Sequence, residues 1–590
     1  MKKLLTILLL ALLFFLLDSC GKLEMKKEIV LRLEPGKGNP RNSEGDFIRL
    51  KDGKLLFIYS HFTDGSGDNA GAYLAARSSL DGGKTWSAKD IKVIENEGGM
   101  NVMSVSLLHL DDNRIALFYL RKNSEHDCIP YLRFSTDEAK SWSDPIRCIP
   151  DSGYFVVNND RLVQLNSGRL IFPASLHINQ NAVGIIRCYY SDDIGKTWQK
   201  SAEAANPDTA ITQEPGLVEL KDGKLMMFCR TASGVQYISY SSDRGETWTN
   251  LTPSNIKSPL SPASIERIPK TGDLLLVWNN NYQAMIDGGK RTPFNLAISK
   301  NEGKKWEKIK PIESDPNGWY CYTAIAFVND HVLLGHCAGD RAKNGGLETT
   351  QITRLNLPWV YGEATAKPLI KENKAGAITL ECSDANAKIY YSLNRKIPDK
   401  FYNETIKISR TTPIYVQAQA SGKTKSELVS AYIGTKIPQA ALEGFIDTSK
   451  GIQYRYYEGE TNNTAGIKKL SLKRKGVVHK FDIDKRERDT NLAFVFDGFL
   501  KIPQKGQYTF YLGSNDGSVF LLDDFELINL DGPHGYFMDS TLITLAKGLH
   551  KINIKYFQLK GGLGLRCLWK GPGFAKQEIS GQALYHLQGK

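Results

Sequence analysis

The sequence predicts an all-β chain, a β-propeller followed by two further β-rich units, and three observations predict it. A turn motif recurs five times at the interval of one propeller blade. The stretches between copies are strand-length and apolar or alternating, with almost no helical periodicity. After Trp359 the repeat stops and segments of a different pattern take over. At 590 residues, 41% apolar and 10% aromatic, the chain can bury several cores.

The elements follow in order from the N-terminus. Lys2 and Lys3 precede a charge-free apolar run from Leu4 to Leu17, then Ser19 and Cys20, which reads as a signal peptide over residues 1–19. The run is shorter than the ~20 residues a helix needs to cross a bilayer. A small residue followed by Cys20 just past the run resembles the lipobox of bacterial lipoproteins. That resemblance implies a lipidated Cys20, membrane attachment through an N-terminal lipid anchor, and a cell-envelope location, periplasmic or at the surface.

Residues 25–360 hold the repeat. SLDGGKTW from Ser79, SDDIGKTW from Ser191 and SSDRGETW from Ser241 share Ser-x-Asp-x-Gly-x-Thr-Trp. STDEAKSW from Ser135 puts Ala139 in place of the glycine, and SKNEGKKW from Ser299 puts Asn301 in place of the aspartate. Successive aspartate positions lie 50 to 58 residues apart, the length of a four-stranded blade. Each copy follows a strand-like stretch, so Asp and Gly supply a turn and the tryptophan an anchor. Five of the nine tryptophans sit in these boxes, which assigns them to packing rather than chemistry. Between the boxes, Leu50 to Leu55 and Leu220 to Leu225 are Asp-Gly hairpins.

The net charge of +12 is spread along the chain, with no basic run interleaved with aromatics. Nucleic acid is therefore not an expected partner, whereas anionic substrates are favoured. The eight cysteines after Cys20 are scattered and contain no CxxC pair, so no metal site is expected and one or two disulfides remain open.

These boxes resemble the Asp boxes of sialidases, and five of them over residues 45–355 imply a six-bladed sialidase-type propeller. Residues 366–434, with strands around Ile389 to Leu393 and Ile414 to Ala418, resemble the small β-sandwich appended to chitobiases. Residues 441–587 resemble the carbohydrate-binding-like β-sandwich module named after anthrax protective antigen. Its Asp516, Asp523 and Asp524 are candidates for binding calcium or sugar hydroxyls, or are solvated loop carboxylates.

The resemblance also implies a site. In QEPGLVELKDGKLMMFCR, Glu214 matches the carboxylate that activates the sialidase nucleophile, and Arg230 matches one of the arginines gripping the substrate carboxylate. Arg291, before the fifth box, matches another. In GWYCYTAIAFVND, Tyr322 matches the catalytic tyrosine, with Tyr320 as the alternative. The chemistry is coherent. Sialic acid carries a carboxylate on its anomeric carbon, which would repel an Asp or Glu nucleophile, and a neutral phenol avoids that clash. The phenol, with an ordinary pKa near 10, then needs a base. Arginine suits the substrate carboxylate because its fork donates two parallel hydrogen bonds.

Two positions depart from the family pattern. Ser43 stands where the first arginine is expected, leaving Arg41 as the better substitute over Arg49. Ala72 stands at the strict position of the general acid, leaving Asp68, Asp64, Glu44 and Asp46, with Asp68 the closer of the loop aspartates. RKNSEHDC from Arg121, with His126, and NNDR from Asn158, with His177 one hairpin later, fall between strands, where substrate contacts gather; an ordinary loop or core role is the alternative for both histidines. The expected activity is an exported exo-glycosidase releasing a terminal sialic acid or related acidic sugar, with no required cofactor. A propeller hydrolase acting on another polysaccharide sugar and a non-catalytic glycan-binding lipoprotein are the alternatives.

Overall fold

The computed structural model describes residues 25–590 apart from 179–182, 282–290, 344, 373–376, 394–397, 409–411, 434–441, 443–446, 534–535, 560–562 and 589–590. The expected signal peptide and Cys20 therefore lie outside the described residues. The chain is all β, as expected.

The propeller consists of antiparallel meanders following one another along the chain. Asn42–Arg49, Leu55–Phe62, Ala72–Ser79 and Ile91–Ile94 form the first sheet. The next sheet has nine strands and fuses two meanders, one starting at Asn101–His109 and one centred on Leu170–His177. They are joined by Tyr154–Val156, which runs parallel to Asp127–Ser135 and antiparallel to Leu170–His177. Two four-stranded sheets follow, beginning at Thr212–Glu219 and Ser264–Arg267. In the last sheet Gly318–Val328, His331–Asp340 and Thr350–Asn356 are completed by the N-terminal strand Lys27–Leu33. That strand ties the start of the propeller to its end. The innermost strand Asn42–Arg49 packs against both Asn101–His109 and Gly318–Val328, so the first and last meanders meet.

The boxes are the outer turns, and their chemistry is that expected from the sequence. In the first, the Asp81 carboxylate accepts from the amides of Lys84 and Thr85 and from the Thr85 hydroxyl, while Ser79 Oγ accepts from Gly83 N. Trp86 donates its indole N–H to Gly83 O at 3.3 Å and packs beside the Phe47 and Phe57 core. Slight desolvation raises the Asp81 pKa, but these hydrogen bonds outweigh it and hold the group at about 2. Asn301 makes the same amide contact in the fifth box, accepting from Lys305 N at 2.8 Å.

Asn356 caps the short helix Leu357–Tyr361, after which the chain leaves the propeller. A three-stranded and a four-stranded sheet then enclose a core of Ile378, Leu380, Ile414 and Val416. The C-terminal region pairs an eight-stranded with a four-stranded sheet over an aromatic core including Phe494, Phe510 and Trp569. There Asp516 accepts from Leu559 N, Asp523 from Lys551 N, and Asp524 pairs with Lys551. Among the described residues no three metal-ligating side chains converge. All eight described cysteines are free thiols.

Candidate active site

Four inner strands share one local irregularity. The antiparallel register slips between Ser43 and Asp46, Met103 and Ser106, Gln213 and Gly216, and Cys321 and Ala324. Within each slip one non-glycine residue takes a left-handed φ: Glu44 at 55°, Ser104 at 59°, Glu214 at 44° and Tyr322 at 55°. Each such residue costs of order 1 kcal/mol or more. A bulge re-aims the side chain it carries, and here the four meet in two pairs. Tyr322 Oη donates to Glu214 Oε1 at 3.1 Å, and Ser104 Oγ donates to Glu44 Oε2 at 2.6 Å. Gly45 and Gly216 permit two of the bulges, since a Cβ there would stand 2.5 Å from Phe57 Cζ and 2.4 Å from Phe228 Cζ.

Arg230 occupies the other oxygen of Glu214, with Nη1 to Oε2 at 2.6 Å, and its Nη2 donates to Gln213. Strand pairing explains the meeting, because Gln213 and Arg230 face each other across the hairpin. Arg291 lies with its guanidinium 5.4 Å from the Tyr322 ring centre and 5.1 Å from that of Trp319. Its Nη1 donates to Cys321 Sγ at 2.9 Å, and among the described residues no carboxylate is paired with it. Desolvation, then the Glu214 charge, push the Tyr322 phenol well above its ordinary pKa, against the opposing pull of Arg291 and Arg230. The resting phenol is therefore protonated and aimed at a base.

Arg41 and Asp68 form the adjoining half. Arg41 is 1% exposed, lies over the Phe62 ring, and donates to Glu44 Oε1 at 3.0 Å and to the Asp68 carboxylate. The Asp68 side chain is 62% exposed at the mouth of the cleft. Lys122 Nζ and Asn101 Nδ2 hold its loop by donating to the Asp68 carbonyl at 3.1 and 2.9 Å. Desolvation raises the Asp68 pKa, but the Arg41 charge and hydrogen bond, helped by Lys122 and Arg291, bring it below the ordinary carboxylate range. Asp68 borders a cavity of about 450 Å³ walled also by Lys122, Tyr154, His126 and His177. A larger one of about 550 Å³, between the last propeller sheet and the small sandwich, holds none of these groups.

All six propeller residues singled out in the sequence, Tyr322, Glu214, Asp68, Arg230, Arg291 and Arg41, thus fall in this region. Of the alternatives, Tyr320, Asp46 and Asp64 are engaged elsewhere, while Glu44 lies beside Arg41 within the same region. Tyr320 is buried against Phe294 and His336, Asp46 is buried and accepts from the amides of Phe47 and Leu107, and Asp64 bonds the Gly71 amide within its own loop. Glu44 is buried and already bound by Arg41 and Ser104. The NNDR segment is interior: Asn159 donates to the carbonyls of Gly45 and Tyr322, Asp160 accepts from Ile325 N, and Arg161 donates to Ala263 O. It pins inner strands together, which corrects its expected place among substrate contacts. Ser104 went unnoticed in the sequence, and Lys122 and Trp319 fell within the RKNSEHDC and GWYCYTAIAFVND segments without being given a role. Only the recurrence of a residue ahead of a register slip, invisible without the pairing, marks Ser104.

Two segments of the chain match known domain families. Residues 101–334 match the BNR repeat-like domain and residues 477–582 the PA14 domain. The chain is 35% identical over 155 residues to an anhydrosialidase of Macrobdella decora, covering 24% of this chain and 19% of the relative. It is 27% identical to a sialidase of Bacteroides fragilis, covering 30% and 35%, and 26% identical to a sialidase of Paraclostridium sordellii, covering 35% and 57%. The matches thus span well under two thirds of each relative. Among solved structures, the intramolecular trans-sialidase of Ruminococcus gnavus superposes with a TM-score of 0.44 at 16% identity, over 56% of this chain and 97% of that one. The fold and its repeats define an Asp-box propeller protein. Within it, residues 101–334 are similar to BNR repeat-like domains and to parts of curated sialidases, and residues 477–582 are similar to PA14 domains.

Proposed function

We propose that the protein is an exported exo-glycosidase that releases a terminal sialic acid or a related acidic sugar, held at the cell envelope by a lipid on Cys20. The observation that carries this reading is the hydrogen bond from Tyr322 Oη to Glu214 Oε1, with Arg230 locking the other carboxylate oxygen. In the proposed reaction Glu214 takes the phenolic proton as Tyr322 attacks the anomeric carbon. Asp68 protonates the leaving oxygen, and water then releases the sugar by the reverse proton movements. Arg291, whose guanidinium binds a thiol rather than a carboxylate, is the arginine best placed to receive the substrate carboxylate. Arg230 supports it from the Glu214 side, and Arg41 joins when the substrate displaces Asp68 from its fork.

A fluorogenic α-sialoside tests the reading. The wild type hydrolyses it, and Tyr322→Phe and Glu214→Gln each lower kcat/KM at least about a hundredfold while the fold is retained. Unchanged turnover in both variants contradicts it. A second reading, a propeller hydrolase acting on a different polysaccharide sugar, is favoured by the polar walls of the cavity beside Asp68, where Lys122, His126 and His177 stand. Identification of the monosaccharide released from mixed glycans separates the two.

A further inference from the structure

Cys321 and Cys337 face each other directly across the Gly318–Val328 and His331–Asp340 strands. Their thiols interact, and they are 1% and 0% exposed. The pair sits between two arginines of the site. On one side Arg291 Nη1 donates to Cys321 Sγ at 2.9 Å. On the other, Cys337 Sγ lies 3.6 Å from Ser43 Oγ, which accepts from Arg41 Nη2 at 3.3 Å. An unbroken polar chain therefore runs from Arg291 through both sulfurs and Ser43 to Arg41. Ser43 stands where the sequence departs from the family pattern, and the chain supplies a structural role for it.

We propose that Cys321 and Cys337 are a covalent modification site, a cross-strand disulfide formed as the chain folds in an oxidising environment, and that the bond frees Arg291 for an anionic ligand. Directly opposed residues of an antiparallel pair have Cα atoms about 4.5 to 5.5 Å apart, within the range of about 4.4 to 6.8 Å that disulfides span. The Cys321 thiolate attacks a sulfur of a small disulfide such as oxidised glutathione and expels one thiolate. The Cys337 sulfur, its proton lost to solvent, then displaces the second. One S–S bond forms, two protons leave, and two electrons reduce the oxidant to two thiols.

Both sulfurs are sealed once the strands close, so the redox state is set during folding and kept afterwards. In the reduced form the Cys321 sulfur accepts a hydrogen bond from Arg291 and so competes with a ligand for it, whereas the cross-link redirects that sulfur to Cys337 and leaves Arg291 Nη1 open. The consequence for the ligand rests on the proposed substrate class and the oxidising environment on the proposed export, whereas the cross-link is independent of the roles given to Tyr322 and Glu214.

Full-length reduced protein, unfolded and refolded in parallel in a glutathione redox buffer and in dithiothreitol, tests both. After alkylation in denaturant and digestion, mass spectrometry is expected to find the Cys321–Cys337 cross-linked peptide only in the glutathione sample. Full alkylation of both cysteines there overturns the proposal. Calorimetric titration with 2-deoxy-2,3-dehydro-N-acetylneuraminic acid is expected to give a Kd about tenfold lower for the oxidised form, the scale of one hydrogen bond to a charged group. Equal Kd values overturn the release of Arg291. A cross-linked, ligand-binding protein that hydrolyses no sialoside supports the cross-link and counts against the glycosidase reading alone.

Discussion

Arg41 holds Asp68 and Glu44 with one fork, and this sharing has a kinetic consequence if Asp68 is the acid. In the free protein the Arg41 charge and hydrogen bond hold Asp68 below the ordinary carboxylate range, against the opposing effect of desolvation. A substrate carboxylate that takes over Arg41 removes that stabilisation and raises the Asp68 pKa in the complex. The alkaline limb of kcat/KM, which reports the free protein, is therefore expected at lower pH than the limb of kcat. Coincident limbs in a pH series would show that Asp68 is not the acid or that Arg41 stays in place. At this scale the sequence was legible where a residue sits within a recognisable segment, as Glu214, Arg230 and Tyr322 do. It was ambiguous at Arg41 and Asp68, where three-dimensional pairing and exposure decide among neighbours of the same charge. The role of Lys122 was illegible, because nothing local says that it holds a loop of the preceding meander.

Among the elements, the Asp box was read almost completely from sequence, since its hydrogen bonds stay within eight residues. The second box shows what the repeat tolerates. Ala139 adopts φ 61°, a left-handed conformation in which the corresponding Gly83, Gly195 and Gly245 carry no steric cost. Ala139→Gly is expected to raise stability by about 1 kcal/mol, read as a higher urea midpoint with an unchanged slope. A decrease would mean that the contacts of the Ala139 methyl with the neighbouring core outweigh its backbone strain. The bulges that aim Glu44, Ser104, Glu214 and Tyr322 were not legible, because a register slip is a property of two strands and φ cannot be read from a non-glycine residue. Glu214-Pro215-Gly216 gave a partial sign, since Gly216 admits the Phe228 ring where a side chain would clash.

For the molecule as a whole, the ring of meanders brings residues 41, 68, 214, 230, 291 and 322 to one region, and the N-terminal strand closes it by pairing with Thr350–Asn356. Repeat spacing made the propeller legible, while the fusion of two meanders through Tyr154–Val156 was not, because that three-residue strand has no periodic signature. The C-terminal sheets bury their own aromatic core, and the residues of the proposed reaction all lie in the propeller. The central claim is that Tyr322 attacks an acidic sugar with Glu214 as its base. It is tested most directly by incubating the protein with a 2,3-difluorinated sialic acid and mapping the modified peptide by mass spectrometry. A sugar adduct on Tyr322, absent from Tyr322→Phe and slowed in Glu214→Gln, is the result expected. An adduct on another residue, or sialoside hydrolysis that the reagent does not interrupt, would contradict it.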